Sequence, residues 1–273
     1  QFFGAGNTCK MKRAIHNSIA LTLVMGVVLT IVGLLFNDPI LKAIGVPSEV
    51  FSEASTYLSI YFWSLIFVMV YNMGSGILRS VGDSKRPLYF LIFSSVVNII
   101  LDFLFVKYFH FGVAGAGYAT LIAQAISAIM VMYVLMKTED DYKVVLKEIG
   151  FDKEILLKII KIGLPTGFQQ SIVSLSNVIV QSYINVYGAS VIAGYSVTIK
   201  IDGFVNLPLQ AFNMAITTFV GQNIGAKQYD RVKKGAYITT ALATLTIACF
   251  VVIMYFFGRD FIALFNQEKD VID

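Results

Sequence analysis

The stretch Ser94-Ser95-Val96-Val97-Asn98-Ile99-Ile100-Leu101-Asp102-Phe103 is an apolar run with an amide and a carboxylate set inside it. It lies within a longer apolar segment, about Leu88 to Val106, that approaches the roughly 20 residues a helix needs to cross a bilayer. An aspartate at that depth costs about 2.5–3.5 kcal/mol on insertion scales, so a chain rarely carries one without use for it. On a helix, Asn98 and Asp102 stand four apart and share one face. The pair reads as one wall of a buried cation site. The plainer reading is an aspartate near a helix end that caps it or reaches the interface.

Composition supports a membrane setting. The chain has 273 residues, 57% of them hydrophobic and 14% charged, with mean hydropathy +0.74. Soluble domains are nearer a quarter charged. Cys9 and Cys249 cannot build a disulfide framework and have no zinc spacing. His16 and His110 have no acidic or cysteine neighbours in sequence, so neither is expected to act in catalysis or metal binding. No nucleotide-binding loop is present, which argues against ATP as energy source, and no catalytic constellation is seen, so the chain is not expected to be an enzyme. The opening Gln1-Phe2-Phe3-Gly4-Ala5-Gly6-Asn7 reads as a mid-protein loop, not a signal peptide, so the chain is expected to be a piece of a longer one.

Seven apolar segments are expected to span: about His16–Phe36, Tyr57–Leu78, Leu88–Val106, Gly112–Met136, Ile162–Val186, Ala189–Val220 and Ala236–Phe257. Between the fourth and fifth, residues 137–161 mix acids and lysines and read as a solvated amphipathic helix. Lysine and arginine crowd one set of alternate loops: Lys10, Lys12, Arg13; Arg79, Lys85, Arg86; the lysines of 137–161; and Lys227, Arg231, Lys233, Lys234. The opposite loops hold Lys42, Lys107, Arg259 and Lys269. The positive-inside rule therefore places loops 1–15, 79–87, 137–161 and 221–235 in the cytoplasm. Those loops also account for the net charge of +4, so no nucleic-acid partner is implied.

An internal repeat organises the chain. Gln1-Phe2-Phe3-Gly4-Ala5-Gly6-Asn7 aligns with Gln222-Asn223-Ile224-Gly225-Ala226-Lys227-Gln228, and the register continues to Lys12-Arg13 on Lys233-Lys234 and Phe36 on Phe257. Both copies begin on the same side, so this is a parallel duplication about an axis along the membrane normal. The expected organisation is 1–136 in one lobe, 137–161 as a cytoplasmic linker, and 162–273 in a second lobe.

The motifs Gln1–Asn7, Gly76-Ile-Leu-Arg79-Ser-Val-Gly-Asp83, Asn98-Ile-Ile-Leu-Asp102, Gly112-Val-Ala-Gly-Ala-Gly-Tyr-Ala-Thr120, Gly163-Leu-Pro-Thr-Gly167 and Gly221-Gln-Asn-Ile-Gly-Ala226 carry a resemblance over the whole chain. It resembles multidrug and toxic compound extrusion (MATE) transporters of the bacterial type. The resemblance implies an all-α polytopic membrane protein of twelve spans in two pseudo-symmetric six-helix lobes, of which this chain carries the third to ninth. It implies a multi-pass protein of the cell membrane that acts as a monomer. The implied activity is export of small amphipathic organic cations or metabolites, coupled to H+ or Na+ and needing no cofactor.

In the family, positions matching Asn98, Asp102 and Thr120 contribute to cation or proton binding, with Na+ as the candidate metal. Thr120 lies about eight residues into its span and Asp102 about five from the end of the preceding one. At 1.5 Å per residue their depths nearly match. Gly112, Ala116 and Thr120 are expected to form a stripe of small residues that lets the two helices approach. Packing alone is the plainer account of that stripe. Tyr57 is a weaker additional partner, since interfacial tyrosines are common. A branch of the family uses a seventh-span glutamate; here no acid lies between Gly163 and Gly188, which shifts the weight to Asp102.

The second half carries polar stripes instead. Gln170, Ser174, Asn177, Gln181 and Asn185 recur at helical spacing, as do Asp202, Asn206, Gln210, Asn213 and Thr217. They suggest the wall of a water-filled substrate cavity, with interhelical hydrogen bonding as the plainer account. Lys200 and Asp202 are charges inside a span, each expected to find a partner elsewhere or face the cavity. Pro208 and Pro165 are candidate pivots, each removing a helical donor. Two other readings are a lipid-linked oligosaccharide flippase, for which Lys200 alone is thin support, and a seven-span receptor, which would have no need of duplicated loops.

Overall fold

The computed structural model describes residues 1–184 and 189–265. Among these the backbone forms seven α-helices: α1 (Thr8–Ile44), α2 (Ser48–Ser80), α3 (Lys85–Asp102), α4 (Gly112–Lys137), α5 (Lys153–Ile184), α6 (Ala189–Gly225) and α7 (Tyr229–Phe265). Each expected span falls on a helix, and most helices outrun the apolar segment because their polar ends continue into water. The Asn7 side chain accepts from Lys10 N–H at 3.0 Å to start α1, and Gly45, at φ 79°, ends it.

Among the described residues, α1, α2, α3 with its continuation to Tyr108, α4, and Tyr229–Gly258 of α7 are long and apolar enough to cross a membrane. The helices α5 and α6 have the length, 32 and 37 residues, but amides and hydroxyls interrupt their apolar runs. The end of the expected fifth span, with Asn185, lies outside the described residues.

The chain divides into two units. One comprises Gly6–Ile159 with Phe2. Within it α2 packs against α1 and α4, and α4 against α3. Small residues make these approaches possible. A Cβ at Gly26 would meet Ile66 at 3.1 Å, and one at Gly117 would meet Ile60 at 3.1 Å. Polar groups join α1 to α2 as well: Thr30 Oγ1 donates to the Phe62 carbonyl at 3.1 Å, and Asn37 Nδ2 to the Ser55 carbonyl at 2.9 Å. The core gathers Met11 and Ile15 of α1, Leu78 of α2, Phe90 of α3 and Leu135 of α4.

The segment expected as an amphipathic helix is built differently. Residues 138–152 form an irregular strap with one 3-10 turn, Leu146–Glu148, and helix resumes at Lys153. Tyr142, in a turn closed by Lys143 N–H donating to the Asp140 carbonyl at 3.0 Å, and Val144 are buried in the core of this unit. Val144 N–H donates to the Leu135 carbonyl at 2.8 Å, folding the strap back along the end of α4. Asp152 ends the strap: its Oδ1 accepts from Glu154 and Ile155 N–H at 3.0 and 3.2 Å, capping α5.

The second unit comprises the described residues from Ile160 onward with Gln1 and Phe3–Ala5. Here α6 packs on α7, and the two copies of the repeated loop meet. A Cβ at Gly4 would fall on the Gln222 backbone, and one at Gly225 on the Gln1 carbonyl. Gly4 is the repeat equivalent of Gly225, and Gln1 of Gln222, so the contact is reciprocal. The backbones match too. Ala5 N–H to Gln1 O is 2.9 Å and Ala226 N–H to Gln222 O is 3.0 Å. Asn7 N–H to Phe2 O is 3.0 Å and Gln228 N–H to Asn223 O is 2.8 Å. Gly6 and Lys227 occupy the same left-handed conformation, φ 62° and 57°. The duplication in the sequence is a duplication in geometry.

Candidate functional site

The last two turns of α3 carry the acid and its amide. Ser94 is buried and donates to the Leu91 carbonyl at 3.1 Å, so its hydroxyl is satisfied within the helix. One turn later the pattern changes. Asn98 and Asp102 are half-buried, and Asn98 Nδ2 and Asp102 Oδ1 are buried atoms with no hydrogen-bond partner. A buried acceptor left without a donor, beside a buried donor left without an acceptor, costs about 1–3 kcal/mol for each group. Such a pair is satisfied by something small that donates to the carboxylate and accepts from the amide. With the amide turned round, both residues instead offer oxygens to a cation.

Directly after Asp102 the helix widens into a π-helical turn, Phe103–Tyr108. Turns of this kind recur at functional sites because the extra residue re-aims the side chains on either side. The turn is held from outside by aromatic packing. Phe105 lies 5.9 Å from Phe111, and Phe109 stacks on Phe111 at 5.8 Å. The Lys107 ammonium sits 4.7 Å from the centre of the Phe103 ring.

The neighbouring helix α4 carries Ala116 and Thr120, both half-buried. Thr120 makes no hydrogen bond to Asn98 Nδ2 or Asp102 Oδ1. The expected stripe of small residues is corrected at its first member. Gly112 is exposed at φ 55°, with nothing within 4 Å of a Cβ placed on it, so it serves the turn and not the packing. The close approach is made by Gly115, where a Cβ would meet Phe105 Cβ at 3.0 Å. Tyr57 is exposed near the start of α2. Ser75 of α2, 0% exposed with an unpartnered Oγ, is a buried polar group that the sequence reading did not single out.

In the second unit, Gln170, Asn177, Lys200 and Gln210 are exposed, and Gln181 is half-buried. Asp202 finds its partner one turn along its own helix: Asn206 Nδ2 donates to Asp202 Oδ2 at 3.0 Å and to its carbonyl at 2.8 Å. Pro165 and Pro208 lie inside α5 and α6. Pro208 offers no N–H to the Phe204 carbonyl. A groove of about 300 Å³ between α6 and α7 is lined by Phe212, Asn213, Ile216, Thr240 and Thr244 among others. No group of three or more His, Cys, Asp or Glu stands together among the described residues, so a bound cation would rely on one acid with amide and hydroxyl oxygens.

Comparison with known proteins gives one answer. The MatE family model matches residues 1–104 and 165–273. The chain is 31% identical over its whole length to the probable multidrug resistance protein YoeA of Bacillus subtilis, covering 60% of that protein. It is 23% identical, again over its whole length, to the multidrug export protein MepA of Staphylococcus aureus, covering 60% of it. Among solved structures, a MATE crystal structure in the bent conformation superposes with a TM-score of 0.93 at 25% identity, over 99% of this chain and 61% of that one. The chain thus spans about 60% of the length of these relatives.

Proposed function

The chain belongs to the MatE family of multi-pass membrane transporters, and from that premise we propose that the full-length protein is a secondary active antiporter. It exports small amphipathic organic cations, drugs or metabolites in exchange for H+ or Na+, by alternating access of two lobes. The names of the relatives, multidrug resistance and multidrug export proteins, support the substrate class. They do not favour a lipid-linked oligosaccharide flippase.

The observation that carries the coupling reading is the unpartnered Asp102 Oδ1 beside the unpartnered Asn98 Nδ2 at the junction of α3 with its π turn. A buried carboxylate oxygen without a donor is satisfied by a proton or by a small cation. For sodium, the Asn98 amide turns its oxygen inward and the Thr120 hydroxyl supplies a further ligand from α4. For a proton, the carboxyl alone suffices. In the second unit, Asp202 is held by Asn206 through one oxygen only. Its other oxygen is available to the positive charge of a substrate, with Gln170, Asn177, Gln181 and Gln210 as neutral hydrogen-bonding groups.

The test uses the full-length protein in vesicles, with efflux of a fluorescent organic cation driven by a proton gradient or a sodium gradient. One gradient is expected to drive efflux in the wild type, and Asp102→Asn to slow it at least about tenfold under that gradient. Unchanged efflux in the variant would remove Asp102 from coupling.

A further inference from the structure

His16 lies two turns into α1 and is only 3% exposed, yet both its ring nitrogens are engaged. The Val145 backbone nitrogen stands 2.9 Å from Nε2. A backbone N–H can only donate, so Nε2 is bare and the ring proton sits on Nδ1. That nitrogen donates to the Lys12 carbonyl at 2.7 Å. The neutral ring is therefore matched on both sides, and it ties the middle of the strap to α1.

Other ties run beside it. Asn17, 0% exposed, donates through Nδ2 to the Asp152 carbonyl at 2.8 Å. Lys12 stands 3.7 Å from Asp141 and Arg13 3.6 Å from Asp152, both ion pairs open to water. An open cavity of about 480 Å³, lined by Cys9, Lys12, Arg13, His16, Glu148 and Asp152 among others, brings solvent to the edge of the ring.

We propose that His16 is a proton-operated latch: protonation of its Nε2 through this cavity releases Val145 from α1 and slackens the strap between α4 and α5. A proton on Nε2 sets one N–H against another across 2.9 Å, and the bond to Val145 is lost. The acceptor for the new N–H is already at hand, because Glu148 Oε2 stands 3.8 Å from Nε2 on an exposed side chain. The other charges of the cavity wall are engaged elsewhere, Lys12 with Asp141 beyond the wall and Arg13 with Asp152, which leaves Glu148 to receive the imidazolium. Nε2 is the one atom of the latch that can take up a proton without breaking a covalent bond, so the latch responds to acidification of the solution bathing this cavity. It does not rest on the coupling role of Asp102.

The experiment follows amide hydrogen exchange of residues 142–149 in the full-length protein, corrected for the intrinsic rate, between about pH 8 and about pH 5.5. Wild type is expected to lose about tenfold in protection on acidification, the scale of one hydrogen bond. His16→Gln keeps an oxygen acceptor for Val145 at every pH and is expected to give a flat profile. Glu148→Gln withdraws the acceptor for the protonated ring and moves release to lower pH. Asp102→Asn behaves as wild type, so a failed coupling role and a failed latch are told apart. A flat wild-type profile overturns the proposal. So does a His16→Gln profile that falls like wild type. Should His16→Gln not fold, a Glu148→Gln profile superimposable on wild type overturns it equally.

Discussion

At the scale of the residue, packing around α4 makes the sharpest demand. A Cβ at Gly117 already meets three atoms of Ile60 at 3.1–3.2 Å, so a branched side chain has nowhere to go. Gly117→Val is expected to destabilise the first unit by about 1–3 kcal/mol, as overpacked cores do. Thermal unfolding of the full-length protein in detergent measures it as a lower Tm. That Asn98 and Asp102 lie on one helix, each with a buried unpartnered atom, was legible from the sequence as far as the helix and its face, because a spacing of four fixes a helical face. The choice among Gly112, Gly115 and Gly117 was not: all three sit in one motif, and what separates them is whether Phe105 or Ile60 lies opposite. The structural role of His16 was hidden for a related reason. Its neighbours in sequence are unremarkable, and its partner Val145 is 129 positions away.

At the scale of the element, the strap 138–152 shows why alternating acids and lysines misled. Charge pattern predicted a solvated helix, while the burial of Tyr142 and Val144 in the core of the first unit goes with an irregular, turn-containing path. The start of this path is sensitive to acid in its own way. Hydrogen bonds from Tyr142 first, then Thr138, hold the Asp140 carboxyl below its ordinary value of 3.8. The folded form therefore binds that proton more weakly than the unfolded one, and the stabilisation is complete above the ordinary carboxylate value. It is lost as pH falls through the lower folded value. In a His16→Gln background, where the histidine latch cannot open, exchange protection at Tyr142 to Val144 should hold down to about pH 4 and fall below it. Asp140→Asn should weaken that protection at neutral pH. The π turn after Asp102 was equally hidden, since it depends on Phe105, Phe109 and Phe111 packing on one another and not on any local breaker.

At the scale of the whole molecule, the alternation of basic and neutral loops predicts sidedness. With Cys9 and Cys249 replaced by serine, a single cysteine at Ser84 should stay unlabelled by an impermeant maleimide in intact cells, and one at His110 should label. The reverse pattern would invert the topology. The repeat was visible at this scale from the letters alone, and the reciprocal seat of Gly4 and Gly225 is what those letters encode. That seat has an implication for history. A surface patch that fits its own copy is the hallmark of a two-fold homodimer, so a single-repeat forebear would have paired through this loop before fusion joined the partners. Fusion would free each side to vary alone, and the two copies do differ, with lysine at position 227 and glycine at position 6 in the same backbone shape.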